Sequence, residues 1–294
     1  MSRSMIIEGT EVWIDDTRCP PGAPALVMIH GWPDTYRVWD AQVEFFRDHY
    51  RCIRFTLPGF DASQAPQGHS LESLMALFKA IVTAVSPDAP IVLMLHDWGC
   101  MFGYQFAMQQ PQKISRLVGV DIGDASSAAY LHSLKPKVKL MIAAYQLWLV
   151  SAWRLRDWFG GRLSLRMTRW IAQALRCPAP AEQIGIGMNY PYDMQWTGSY
   201  GSLRGLLPMN PPCPMFFAYG RKKPFMFHSQ SWLQDMSEAP QHAVQGFDTD
   251  HWVMVRQPAA FNRAVQDWLA TPTAWPTPAA PMTPPNARKN SPLN

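Results

Sequence analysis

The chain has 294 residues, 48% of them hydrophobic. That is ample for a sizeable core, at a length where α/β folds often form one domain with an inserted subdomain. The formal charge is +4 and the pI about 8.8; only Lys135, Lys137, Lys139 and the run Arg221-Lys222-Lys223 cluster, too thinly to indicate nucleic acid, so each is read as a solvated face. Five scattered cysteines, Cys19, Cys52, Cys100, Cys177 and Cys213, are odd in number and lack a CxxC pair, which argues against a disulfide scaffold or zinc site and for a reduced compartment.

Met1 to Thr10 has no apolar stretch behind a basic start, and no run of about 18 apolar residues occurs. A soluble, cytoplasmic protein without a membrane span is expected.

In chain order, Met5 to Asp15 alternates and carries Val and Ile, which predicts an edge hairpin. Pro24 to His30 is a short apolar run ending at Gly31 and predicts a buried strand. Trp39 to Arg47 has helical spacing. Tyr50 to Leu57 predicts a second strand, closed by Pro58-Gly59. Leu71 to Val85 predicts a helix, Pro90 to Leu95 a third strand, Gly99 to Gln109 a helix, and Ile114 to Ile122 a fourth strand. This alternation predicts a doubly wound, mostly parallel sheet with chemistry at the carboxyl ends of its strands. His30, Asp97 and Asp121 fall at such ends.

The alternation stops after Ser126. Residues 127–208 are rich in Trp, Tyr, Met and Arg at helical spacing, predicting an inserted cap between the core segments 1–126 and 209–270. Strands resume at Cys213 to Tyr219 and, more weakly, at His242 to Val244. A last helix is expected over Gln257 to Leu269. The proline-dense tail, 271–294, reads as disordered.

Leu93-Met94-Leu95-His96-Asp97-Trp98-Gly99 joins a strand directly to a helix. A nucleophile elbow needs that context, and the N–H of the next residue, Trp98, then points at developing negative charge. The side chain at the elbow is a carboxylate. A carboxylate attacking an ester gives an anhydride, a poor route to hydrolysis; attacking a saturated carbon, it gives an alkyl ester that water can cleave. An Asp after a buried strand also serves as a helix N-cap.

His96-Asp97-Trp98-Gly99 resembles the elbow of epoxide hydrolases and haloalkane dehalogenases of the α/β-hydrolase superfamily. His30-Gly31-Trp32-Pro33-Asp34 is similar to their oxyanion loop, Leu57 to Ser63 to their LPGxGxS turn, and Asp250-His251-Trp252 to the GHW that carries a catalytic histidine. The resemblance runs from about Val27 to Leu269. It implies an α/β-hydrolase fold with a helical cap, Asp97 as nucleophile and His251 as the base that activates water. It also implies the N–H groups of Trp32 and Trp98 as oxyanion donors. No metal or organic cofactor is implied, and the partners are a small apolar substrate and water. His30 and His96 are assigned no proton transfer.

The sequence departs from the family at three places. Leu95 replaces a small residue two before the elbow, and Asp250 replaces glycine before the histidine. The commonest place for the acid that orients the base reads Gly220-Arg221-Lys222-Lys223-Pro224. One dehalogenase subgroup takes this acid from the preceding core strand, which implies Asp121, with Asp124 and Asp248 as alternatives.

Tyr145-Gln146-Leu147-Trp148-Leu149 and Met188-Asn189-Tyr190-Pro191-Tyr192 are similar to tyrosine-bearing cap segments of epoxide hydrolases. They imply Tyr145 as a proton donor to an epoxide oxygen, paired with Tyr190 or Tyr192. Trp98 with Trp148 or Trp153 would instead suit a halide. Opening of an epoxide to a diol is the favoured reading. Haloalkane dehalogenation, and a non-catalytic or weakly active relative that binds a ligand under its cap, are the alternatives.

Overall fold

The computed structural model describes residues 3–203 and 205–272. The predicted disordered tail lies, beyond residue 272, outside the described residues. An eight-stranded sheet carries the fold. β1 (Arg3–Ile7) and β2 (Thr10–Asp15) form the expected antiparallel edge hairpin. β3 (Ala25–Ile29), β4 (Arg51–Phe55), β5 (Ile91–His96), β6 (Ile114–Val120), β7 (Met215–Gly220) and β8 (Ala243–Phe247) run parallel. The strand order is β1-β2-β4-β3-β5-β6-β7-β8.

Strands β3 and β5 are buried along their whole length, which is why both read as unbroken apolar runs rather than alternating ones. Their side chains still divide between the two faces. Leu26, Met28, Val92 and Met94 join one core cluster, and Val27, Ile29, Leu93 and Leu95 the other. On the first face lie α1 (Asp40–Phe46), α9 (Val253–Arg256) and α10 (Pro258–Ala270). On the second lie α2 (Leu71–Val85), α3 (Trp98–Gln109) and α8 (Gln230–Glu238). In α2 the Ser70 hydroxyl caps the N-terminus by accepting from the Ser73 N–H, and Leu74, Leu77, Phe78, Ile81, Val82 and Val85 make the buried stripe. Helix α8 was not foreseen. Its start is set by Ser229, whose hydroxyl accepts from the Trp232 N–H.

Between β6 and β7 the chain forms α4 (Ala128–Ser133), α5 (Pro136–Arg154), α6 (Arg162–Ala174) and α7 (Tyr190–Thr197). This insertion is tied to the strand ends by polar bonds. The Trp32 indole N–H donates to Asn189 Oδ1 at 3.0 Å, and Asn189 Nδ2 donates to Thr168 Oγ1 at 2.7 Å. Within the insertion Arg154 donates to both oxygens of buried Asp193, at 2.6 and 3.1 Å, locking α5 to α7. Among the described residues no helix is long and apolar enough to cross a membrane.

Candidate active site

Strand β5 ends at His96 and α3 begins at Trp98, so Asp97 alone makes the turn, with φ 53° and ψ −123°. Such a conformation costs a non-glycine residue about 1–3 kcal/mol. Asp97 stands at the N-cap position of α3, yet its side chain makes no capping bond. Instead Oδ1 accepts from the Trp32 backbone N–H at 2.6 Å. The turn needs close approach from the β3 loop: a Cβ on Gly31 would lie 2.3 Å from the Trp98 nitrogen and 2.4 Å from Asp97 Oδ1. The bulk of Leu95 is absorbed one turn into α3, where a Cβ on Gly103 would lie 2.4 Å from Leu95 Cδ2. The first departure from the family pattern therefore has a compensating partner.

The second carboxylate stands at the end of the neighbouring strand. Asp121 follows β6, also at positive φ (72°), and is fully buried. Its Oδ2 bonds His251 Nδ1 at 2.5 Å. On the other side of the ring, His251 Nε2 lies 3.4 Å from Asp97 Oδ2. In these three residues one imidazole stands between two carboxylates. The other acids considered are occupied elsewhere. Asp124 accepts from the Ser229 N–H and from the hydroxyls of Ser229 and Ser127; Asp248 is exposed and pairs with Lys222.

Sequence reasoning missed Lys223. The run Arg221-Lys222-Lys223 was read as a solvated face, but the Lys223 side chain is only 6% exposed and its ammonium bonds Asp121 Oδ1. The Gly220 N–H donates to the same oxygen at 2.9 Å. The segment that lacks a carboxylate supplies a cation to a carboxylate from another strand. The available signal was Lys223 standing where an acid was expected. Asp250, the remaining departure, accepts from the Trp252 N–H and from Arg256 Nε, each at 3.0 Å, bracing the start of α9.

These contacts set the charges. Burial alone would raise the Asp97 pKa, but its hydrogen bond and attraction to His251 outweigh that and hold it below the ordinary carboxylate value. Burial likewise opposes ionisation of Asp121, and the charges of Lys223 and His251 overcome it. Burial disfavours the imidazolium of His251, yet the charge and hydrogen bond of Asp121, joined by those of Asp97, raise its pKa to about 9. The His96 ring packs against that of His251, tilted by 44° with centroids 4.4 Å apart; burial lowers its pKa to about 3, so it stays neutral. His30 donates through Nδ1 to the Gly31 carbonyl and accepts at Nε2 from the Leu57 N–H, fixing two loops. The Asp97 side chain keeps 15% exposure.

From the insertion, Tyr192 of α7 meets Trp98 and Trp32 edge-on, with centroids at 5.2 and 6.0 Å. Tyr145 of α5 packs against Tyr192 at 6.2 Å, and Gln146 Nε2 donates to its hydroxyl at 3.2 Å. Both phenols are held protonated, first by burial and then by the negative charge of Asp97. Tyr190 is placed elsewhere: its ring packs among Phe60, His69, Trp153 and Tyr200, and its buried hydroxyl has no hydrogen-bond partner. Of the two tyrosines left open as the partner of Tyr145, Tyr192 is thus the one whose ring meets it, and Tyr190 is not. The structure also gives the surroundings of the alternative halide donors. The Trp148 indole N–H donates to the Met167 carbonyl, and Trp153 packs against Arg156 and Tyr200. Among the described residues no group of three or more His, Cys, Asp or Glu could hold a metal ion. An open groove of about 1220 Å³ runs beside the β1-β2 hairpin and contains neither Asp97 nor His251.

Comparison with known proteins agrees with this fold. Epoxide hydrolase 3 of Xenopus tropicalis is 23% identical over 263 residues, covering 84% of this chain and 71% of the relative. Epoxide hydrolase 1 of Caenorhabditis elegans is 30% identical over 102 residues, 34% of this chain and only a quarter of the relative's length. A cis-3-alkyl-4-alkyloxetan-2-one decarboxylase of Xanthomonas campestris is 25% identical over 205 residues, 65% of this chain and 64% of the relative. Among solved structures, a product complex of a Bacillus megaterium epoxide hydrolase variant superposes with TM-score 0.66 at 17% identity, covering 92% of this chain and all of that one. A haloalkane dehalogenase loop variant from Bradyrhizobium elkanii gives 0.61 at 15%, covering 92% and 96%. Residues 24–177 match the alpha/beta hydrolase fold family, and the chain belongs to that family.

Proposed function

We propose that this hydrolase opens an epoxide to a diol through an ester on Asp97. The observation that carries the reading is the pair of protonated tyrosines, Tyr145 and Tyr192, gathered beside a carboxylate that is kept ionised. In the first step an Asp97 oxygen attacks an epoxide carbon, the C–O bond of the ring breaks, and the two phenols hydrogen-bond the departing oxygen; one of them gives it its proton and is then reprotonated from water. In the second step His251, oriented by Asp121, takes a proton from water as the water attacks the ester carbonyl. The backbone N–H groups of Trp32 and Trp98 face the oxyanion that forms there. Residues 127–208 serve as a cap over residues 1–126 and 209–270, supplying both tyrosines.

The charge relations time the two steps. Esterification removes the negative charge of Asp97, and with it two of the influences that raise the His251 pKa. His251 is therefore more fully neutral, and able to accept a proton, when an ester is present to be hydrolysed.

The test is intact-protein mass spectrometry on His251→Gln with separate panels of epoxides and haloalkanes. An adduct on Asp97 from epoxides alone supports the reading. An adduct from haloalkanes alone makes the reaction a dehalogenation, and none from either, with a folded variant and broad panels, puts the ligand-binding reading ahead.

A further inference from the structure

The outer surface of the insertion is unlike the rest of the molecule. Of the twelve large apolar side chains that stand exposed among the described residues, eleven belong to residues 127–208. Five of them line two helices. Leu140, Leu147 and Trp148 lie along the solvent side of α5, Leu163 and Trp170 along that of α6. The two stripes meet where Trp148 and Trp170 pack at 5.2 Å. Helices α5 and α6 pack against each other, and that contact joins their outer sides into one face. With 19 residues, α5 is about 28 Å long.

Charge is divided in the same way. Residues 127–208 hold ten Lys and Arg against three Asp and Glu, whereas the remainder holds sixteen against nineteen. Lys137, Lys139, Arg162 and Arg166 are exposed beside the apolar stripes and pair with no acid among the described residues. A solvated face needs the lysines and arginines but not the leucines and tryptophans between them. Large exposed apolar patches mark interaction surfaces. Helices with Trp and Leu on a face rimmed by Lys and Arg are suited to lying in the plane of an anionic lipid surface.

We propose that the outer face of α5 and α6 docks on an anionic bilayer surface. Charge selects this occupant over a second copy of the chain, because an isologous contact would set two strongly basic faces against each other. The proposal does not depend on the reaction.

The experiment is flotation of the full chain with phosphatidylcholine vesicles, with and without about 30 mol% phosphatidylserine. The expected result is at least about tenfold more protein on the anionic vesicles, reduced by added salt, with a blue shift of tryptophan emission. Leu140→Asp with Leu163→Asp, and separately Lys137→Glu with Arg166→Glu, should each lower binding about tenfold while leaving circular dichroism and the melting temperature unchanged. The second pair keeps the test decisive should the first disturb folding. Equal recovery with both vesicle types, no recovery with either, or binding indifferent to both double variants overturns the proposal. So does a dimer, seen in sedimentation, that Leu140→Asp dissociates.

Discussion

Lys223 and His251 divide the carboxylate of Asp121 between them, the ammonium on Oδ1 and the imidazole Nδ1 on Oδ2. The lysine keeps Asp121 ionised in a fully buried place, while its positive charge tempers that of the imidazolium beyond it. Replacing Lys223 with Met leaves Oδ1 with only the Gly220 N–H. The expected cost is about 1–3 kcal/mol of stability, read by urea denaturation. Loss of the cation also lets the pKa of His251 rise further. The pH profile of ester hydrolysis should therefore move to higher pH, which a surface lysine would not cause.

Asp121 and Asp124 make opposite predictions. Asp121→Asn leaves His251 without its anionic partner and should slow release of the ester by about 10²–10⁴-fold. Asp124→Asn disturbs only the Ser127 and Ser229 bonds. It should lower stability by about 1–3 kcal/mol with turnover per folded molecule retained. Burst kinetics with a chromogenic epoxide separate the two.

The two tyrosines of α7 should part in the same manner. Tyr192→Phe should slow ester formation by about 10²-fold, measured in single turnovers. Tyr190→Phe removes a buried hydroxyl that has no partner, so stability should hold or improve by up to about 1 kcal/mol and ester formation should be unchanged.

The steps should also differ in their response to pH. Asp97 is ionised from below the ordinary carboxylate range upward, and the two phenols stay protonated well beyond theirs. Ester formation should be flat between about pH 5 and 9. Ester hydrolysis needs neutral His251 and should rise with pH, with its inflection below the value of about 9 that holds in the free protein. Stability follows the same groups. Because the pKa of His251 is raised on folding, its contribution is full below about 6.5 and is lost as pH rises through about 9. Asp97 and Asp121 contribute above their unfolded values, near 3.8, and lose their contribution as pH falls through the lowered folded ones. Melting temperatures across that range check both limits.

The parts of this site that are local in sequence were legible there. A strand, one residue and a helix define the elbow, and the period of the flanking segments shows both elements. Asp121 could be reached by resemblance, because it too ends a core strand. Tyr192 could not be told from Tyr190. Two residues apart on a helix they point to roughly opposite sides, and only the seating of α7 against Trp98 and Trp32 decides which one faces Asp97. Lys223 was hidden for a related reason: a lysine in a basic run looks solvated until the fold brings an unpaired carboxylate from another strand to meet it.

The missing side chain at Gly31 has a wider consequence. The space its Cβ would need is taken by Asp97 Oδ1 and the Trp98 nitrogen, so the β3 loop and the elbow share one volume. Neither can be reshaped alone. Exchanging the elbow with that of a relative should succeed only when the loop around Gly31 travels with it, and the insertion, whose Tyr190, Tyr192 and Met194 pack in the same core cluster as Trp32 and Trp98, has to match both.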